Sequence, residues 1–176
     1  MVIGDVAYDL LVEAREPLAI GADTRARMHA RPGGAGANQA AWLARCGVET
    51  HLVGRVGSDV FGLHLVDRLR RDGVITHLAS DTQQPTGRIV ILVNGAGERT
   101  MITDRAANLC ITVDDLPADL WRAGGHLHLS GYCFFEDGPR TVALEALRRA
   151  RAAGMTVSVD PASVSLLREV GPHRFL

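Results

Sequence analysis

Most of the chemistry that can be read from this chain is concentrated in Arg31-Pro32-Gly33-Gly34-Ala35-Gly36-Ala37-Asn38-Gln39. Glycines at 33, 34 and 36 open backbone dihedrals closed to other residues and let a ligand come close to the main chain. Asn38 falls in the first turn of the small-residue helix that follows, where unpaired N–H groups and the positive end of the helix dipole gather. A polar small molecule is the guest this arrangement suits. Asp9 is the second residue of interest, at the end of the opening apolar run, where ligands of α/β sheets bind. A carboxylate accepts two hydroxyl hydrogen bonds, and an amide both donates and accepts.

Other reactive residue types are sparse. Asp160-Pro161 closes an apolar run, and a structural carboxylate at a strand end is a commoner role than catalysis. His126 and His128 share a strand face, but no third ligand accompanies them, so no metal site is expected. Cys46, Cys110 and Cys133 form no Cys-x-x-Cys and are odd in number, which suggests neither zinc nor disulfides. Buried free thiols in a reducing cytoplasm are the expectation. A Walker loop needs Gly-x-x-x-x-Gly-Lys-Ser/Thr, which the chain lacks. The dinucleotide fingerprint needs Gly-x-Gly-x-x-Gly directly after the first strand, whereas Gly34-x-Gly36 runs on to Gln39.

The elements that must position these residues alternate. Val2 to Asp5 reads as a short buried strand, Leu10 to Glu13 continues extended, and Asp23 to Ala30 reads as a strand with a wet face. The glycine turn leads into a helix over Ala37 to Cys46, stopped by Gly47. A strand over Val48 to Gly54, a helix over Val60 to Asp72 and a strand over Val74 to Ala79 follow, an order that implies a parallel sheet with helices on its faces. Thr86 to Asn94 and Glu98 to Thr103, joined by Gly95-Ala96-Gly97, then interrupt the pattern as a hairpin. Beyond a loop over Asp104 to Asn108 come a short helix from Asp114 to Trp121, a strand over His126 to Tyr132, a helix from Gly138 to Ala153, a strand over Met155 to Val159 and a helix over Val164 to Val170.

At 176 residues the chain has the size of one ordinary domain, and 1–176 is read as a single one. A content of 47% hydrophobic and 22% charged residues excludes long disorder. The net charge of -1 leaves no electrostatic case for nucleic acid or an anionic membrane. The cluster Arg148, Arg149 and Arg151 reads as a solvated helix face. No apolar run reaches the roughly 18 residues of a membrane span, and no secretory leader is visible.

Gly33-Gly34-Ala35-Gly36-Ala37-Asn38-Gln39-Ala40, followed by Gly47 and then Leu52-Val53-Gly54-Arg55-Val56-Gly57, resembles the first signature of the ribokinase/PfkB carbohydrate kinases. Gly4-Asp5 followed by Asp9 resembles the opening strand of that family. Thr86-Gly87 with Gly97-Glu98-Arg99-Thr100 resembles its hairpin, and Asp104-Arg105-Ala106-Ala107-Asn108 resembles its Arg-Gly-Ala-Asn loop, with Ala106 for the usual Gly. His128-Leu129-Ser130-Gly131-Tyr132 and Val159-Asp160-Pro161 also resemble family segments, so the likeness covers essentially the whole chain.

The resemblance implies an α/β fold: a ribokinase-like three-layer α/β/α sandwich with a small β lid, the C-terminal part of the domain being absent. The lid would comprise segments of about 11–31 and 86–103. It implies an ATP-dependent phosphotransferase acting on a hydroxyl of a sugar or polyol, bound between lid and sheet by Asp9, Gly33, Gly34 and Asn38, with Tyr132 bordering the pocket. In the ribokinase version of the turn a Lys stands where this chain has Ala35, which speaks against ribose itself. The family's catalytic base lies in a later Gly-Ala-Gly-Asp segment, expected beyond Leu176 together with the Asn-Glu segment near the Mg-nucleotide. No catalytic residue is therefore assigned within the chain. ATP, Mg2+ and a monovalent cation belong to the full-length enzyme, and the piece alone is expected to be inactive. Two alternatives stay open: a non-catalytic sugar-binding protein of the same fold that forms a homodimer through the lid, and a nucleoside kinase.

Overall fold

The structure, a computed structural model, describes residues 1–175. Its elements run β1 (Val2–Ile3), β2 (Ala7–Ala14), β3 (Ala26–Gly33), α1 (Ala35–Arg45), β4 (His51–Gly57), α2 (Val60–Arg71) and β5 (Ile75–Asp81). They continue β6 (Gly87–Val93), β7 (Arg99–Asp104), β8 (His126–Leu129), α3 (Asp137–Ala152), β9 (Thr156–Val159), α4 (Val164–Val170) and α5 (Pro172–Phe175).

Among the described residues the strands form two sheets. The larger has the order β5-β4-β1-β8-β9, with every neighbouring pair parallel. Side chains alternate across it. Val2 and Leu52 pack with Ala37 and Ala40 of α1 and Leu65 and Leu69 of α2 on one face. Ile3, Val53, Leu127 and Leu129 pack with Val142, Ala143, Ala146 and Ala150 of α3 on the other. Three layers result, because a parallel sheet must bury both faces.

The smaller sheet has the order β3-β2-β6-β7. Its register places Asp9 beside Arg31 and Ile89, with Thr103 across from Ile89, so these four share a face. The opposite face carries Leu10 beside Ala30 and Val90, with Ile102 across from Val90, and Val12 beside Met28. None of the described helices is long and apolar enough to cross a membrane.

Asp9 departs from its expected place. It does not end the opening strand but sits inside β2, in the second sheet. β1 stops after Ile3 because the chain leaves the large sheet at Gly4 and enters the small one at Ala7. Asn108 holds that crossing. Val6 N–H donates to Asn108 Oδ1 at 2.8 Å, and Asn108 Nδ2 donates to Val6 O at 2.9 Å and Arg105 O at 3.0 Å. The buried amide thus supplies the ladder bonds that Val6 forgoes between two sheets.

Three further expectations are corrected. The strand over His126 to Tyr132 ends at Leu129, and Gly131–Phe134 tighten into a 3-10 turn in which Cys133 N–H bonds Ser130 O at 2.9 Å. The helix from Asp114 to Trp121 is a single turn over Val113–Asp115, capped reciprocally by Thr112 and Asp115. Pro117 lacks the N–H that would prolong it. Of the free thiols Cys133 is buried, but Cys46 is exposed, at the C-cap of α1.

Replacing Asn108 by Ala leaves the buried Val6 N–H and C=O without partners. We expect a loss of about 2–4 kcal/mol in unfolding free energy by urea titration, from the desolvation of unpaired groups; a change below about 0.5 kcal/mol would count against the clamp.

Candidate functional site

Four of the residues singled out from the sequence, Asp9, Gly34, Asn38 and Tyr132, line one cavity of about 310 Å³. Its walls are the Asp9 face of the small sheet, the start of α1, the crossing at Asp5, and Leu166 of α4. The fifth, Gly33, lies against Asp9: a Cβ there would overlap the Asp9 carboxylate. Gly34 has φ 94, and a Cβ on it would stand 2.5 Å from Asp5 O and 2.7 Å from Ala7 N. The glycine turn therefore serves first to let the chain pack against its own crossing, and only then leaves main chain facing the cavity.

Asp9 is the most unusual group in the cavity. It is 8% exposed, and its Oδ1 is buried with no hydrogen-bond partner among the described residues. Burial pushes its carboxyl above the ordinary carboxylate value, and the Arg31 charge pulls the other way. A carboxylate whose pKa is raised on folding opposes folding when ionised, and that penalty is relieved as pH falls through the folded pKa. A buried acceptor left unpaired in this way calls for a donor from outside the protein. Asn38 is exposed at the fourth position of α1, and its side chain caps nothing, the N-cap being Gly34.

Sequence alone assigns no role to the cavity's other charged groups. Arg105 Nε donates to Asp5 Oδ2 at 2.7 Å, and its Nη2 donates to Asp5 Oδ1 at 2.9 Å and Tyr132 O at 3.1 Å. The guanidinium also lies 5.9 Å from the centre of the Tyr132 ring. Burial works against the Arg105 charge, but the Asp5 bonds outweigh it and hold the pKa above the usual arginine value. Asp104 and Glu136 line the same cavity. The signal available in sequence was Arg105 itself, within the segment matched to the family's Arg-Gly-Ala-Asn loop.

Other candidates have partners within the protein. Asp160 accepts from Gln39 Nε2 at 2.8 Å and Ala162 N–H at 2.7 Å, the bonds of a structural carboxylate. His126 Nε2 and His128 Nδ1 both lie 2.8 Å from Ser158 Oγ. Among the described residues no group of three or more His, Cys, Asp and Glu could hold a metal ion. Burial pushes the Cys133 thiol up to about 12, which leaves it inert.

A model of the pfkB family carbohydrate kinases matches residues 1–173. A fructokinase of Escherichia coli is 37% identical over 163 residues, covering 91% of this chain and 49% of the relative. A fructokinase of Salmonella typhimurium is 32% identical over the same span, with the same coverage. The crystal structure of a fructokinase from Xylella fastidiosa superposes with a TM-score of 0.81 at 28% identity, covering 99% of this chain and 57% of that one. The same fructokinase with bound ATP superposes at 0.80. An adenosine kinase from Sinorhizobium meliloti reaches 0.85 at 20% identity over 96% of this chain and 57% of that one, a likeness of fold alone. The chain spans about half the length of the curated relatives it matches.

The loop that carries Arg105 contains one strained residue, Ala106, at φ 42. A side chain there meets the clash that glycine avoids, which accounts physically for glycine in the matching family loop. Ala106→Gly is expected to stabilise the chain by about 0.5–1 kcal/mol in urea unfolding, the net of relieved strain and added unfolded-state freedom. A destabilised variant would contradict the strain.

Proposed function

The chain belongs to the pfkB family of carbohydrate kinases, and from that premise we propose that its cavity binds the sugar or polyol acceptor of an ATP-dependent phosphoryl transfer. The observation that carries this reading is the buried, unpartnered Oδ1 of Asp9. It shares the cavity with the Asn38 amide and the main chain of Gly34. Asp9 accepts from sugar hydroxyls, Asn38 donates and accepts beside it, Gly33 keeps space for the carboxylate, and Tyr132 borders the ring. The small sheet acts as the lid over the guest.

The 176 residues carry the acceptor side of the reaction. The base and nucleotide site belong to the complete enzyme, together with ATP, Mg2+ and a monovalent cation. Among the described residues no group of three or more His, Cys, Asp and Glu could hold a metal ion. The fructokinase names of the relatives favour a ketohexose over a nucleoside.

Calorimetry of the purified chain with D-fructose should show saturable binding, with no ATP-dependent phosphorylation. Asp9→Asn should weaken binding at least about tenfold, since a hydrogen bond to a charged group is lost. Because the sugar favours ionised Asp9, affinity should be highest above the Asp9 pKa. It should fall as pH drops through the raised Asp9 pKa, beginning above the ordinary carboxylate range. Equal affinity in the variant, or phosphorylation by the chain alone, would refute the assignment.

We also propose a homodimer through the face of the lid turned away from Asp9. Met28 and Ile102 on that face are 62% and 59% exposed, an apolar surface fit for a second copy. Light scattering should show a dimer that Ile102→Lys converts to a monomer; a monomeric wild-type chain would discard the idea.

A further inference from the structure

The cavity's lining contains the carboxylates of Asp5, Asp9, Asp104 and Glu136, and one guanidinium, Arg105. That guanidinium is the natural receptor for an anionic sugar, because its fork matches a carboxylate or phosphate. In this protein the Nε–Nη2 edge of that fork is already filled. Nε and Nη2 both point to the two oxygens of Asp5, and Nη2 also serves Tyr132 O. Both partners of the pair are largely shielded from water, with 15% and 14% of their side chains exposed. An anion seeking bidentate capture on that edge would have to displace Asp5 from a charged contact while facing the remaining carboxylates. Two exposed cations stand near that lining: Arg31, across from Asp9 on β3, and Arg88, whose Nη2 lies 3.7 Å from Asp104 Oδ2.

We propose that Asp5 is a positioning residue that sets the charge selectivity of the cavity: by holding Arg105 it admits neutral polyhydroxyl compounds and turns away sugar acids and sugar phosphates. The proposal rests on the reading of the cavity as the acceptor site and extends it to the charge of the acceptor. It assigns Asp5 a role beyond the second clamp it makes with Arg105 at the crossing, which Asn108 also holds at Val6.

The test compares D-fructose with D-gluconate, alike in size and different in charge, by calorimetry on the whole chain. The wild type should bind fructose at least about ten times more tightly than gluconate. Asp5→Asn, nearly isosteric, should release the guanidinium and narrow that ratio by about tenfold or more through tighter gluconate binding. Adding Arg105→Gln to Asp5→Asn should abolish the gain. If Asp5→Asn does not fold, as judged by circular dichroism, Asp5→Ser makes the same comparison. A wild type that binds both ligands equally overturns the proposal. So does a variant that weakens both ligands in parallel, as a purely structural role requires, or a gain that survives loss of Arg105. Binding of neither ligand by the wild type defeats the acceptor-site reading and the proposal with it; fructose binding with no shift in the variants defeats the proposal alone.

Discussion

The structure depends on one crossing, the passage of the chain from the large sheet to the small one at Asp5 and Val6. A chain that leaves one sheet for another exposes backbone groups that neither ladder can satisfy, and burial makes each of them expensive. Here the Asn108 amide imitates a neighbouring strand for Val6. One residue earlier, Arg105 takes the Asp5 carboxylate in a two-pronged grip. Both clamps come from one short stretch after β7. The return of the chain from the small sheet is therefore tied to its departure, and the two sheets are held at the point where they meet.

The cavity is a by-product of that junction. Its base is the crossing, its wall is the start of α1, and its cover is the Asp9 face of the small sheet. Gly34 has to be glycine because the helix start presses on the Asp5 carbonyl, and Gly33 because Asp9 occupies the space a Cβ would need. The same close packing leaves Asp9 with an oxygen that none of the described residues satisfies. Stability is thus given up at one carboxylate, and the group left wanting a donor faces the cavity.

Much of the fold was legible because its signals are local. The helix α1 is marked by the glycine turn before it and the Gly47 stop after it, and the β-α-β alternation implies a parallel sheet. Pattern reading failed where local signals were overruled. Asp9 looked like the end of a sheet strand, because nothing in Val-Ile-Gly-Asp shows that the chain changes sheets after two paired residues. Tyr132 looked like strand because it follows an apolar run, yet Ser130 turns the chain. Asp114 to Trp121 had a helix start but met Pro117 too soon.

By itself the sequence determined the class of the fold, the glycine turn and its helix, and the family, since each rests on residue types at fixed short spacing. Only the tertiary structure decided which groups would share a cavity and in what state. Asp5 and Arg105 lie 100 positions apart, and Val6 and Asn108 lie 102 apart. No periodicity links them; sheet order and register bring them together. Nor could a sequence show that Asp9 is buried with a free oxygen, or that the cavity's guanidinium is already taken, because satisfaction of a polar group is a property of its neighbours in space.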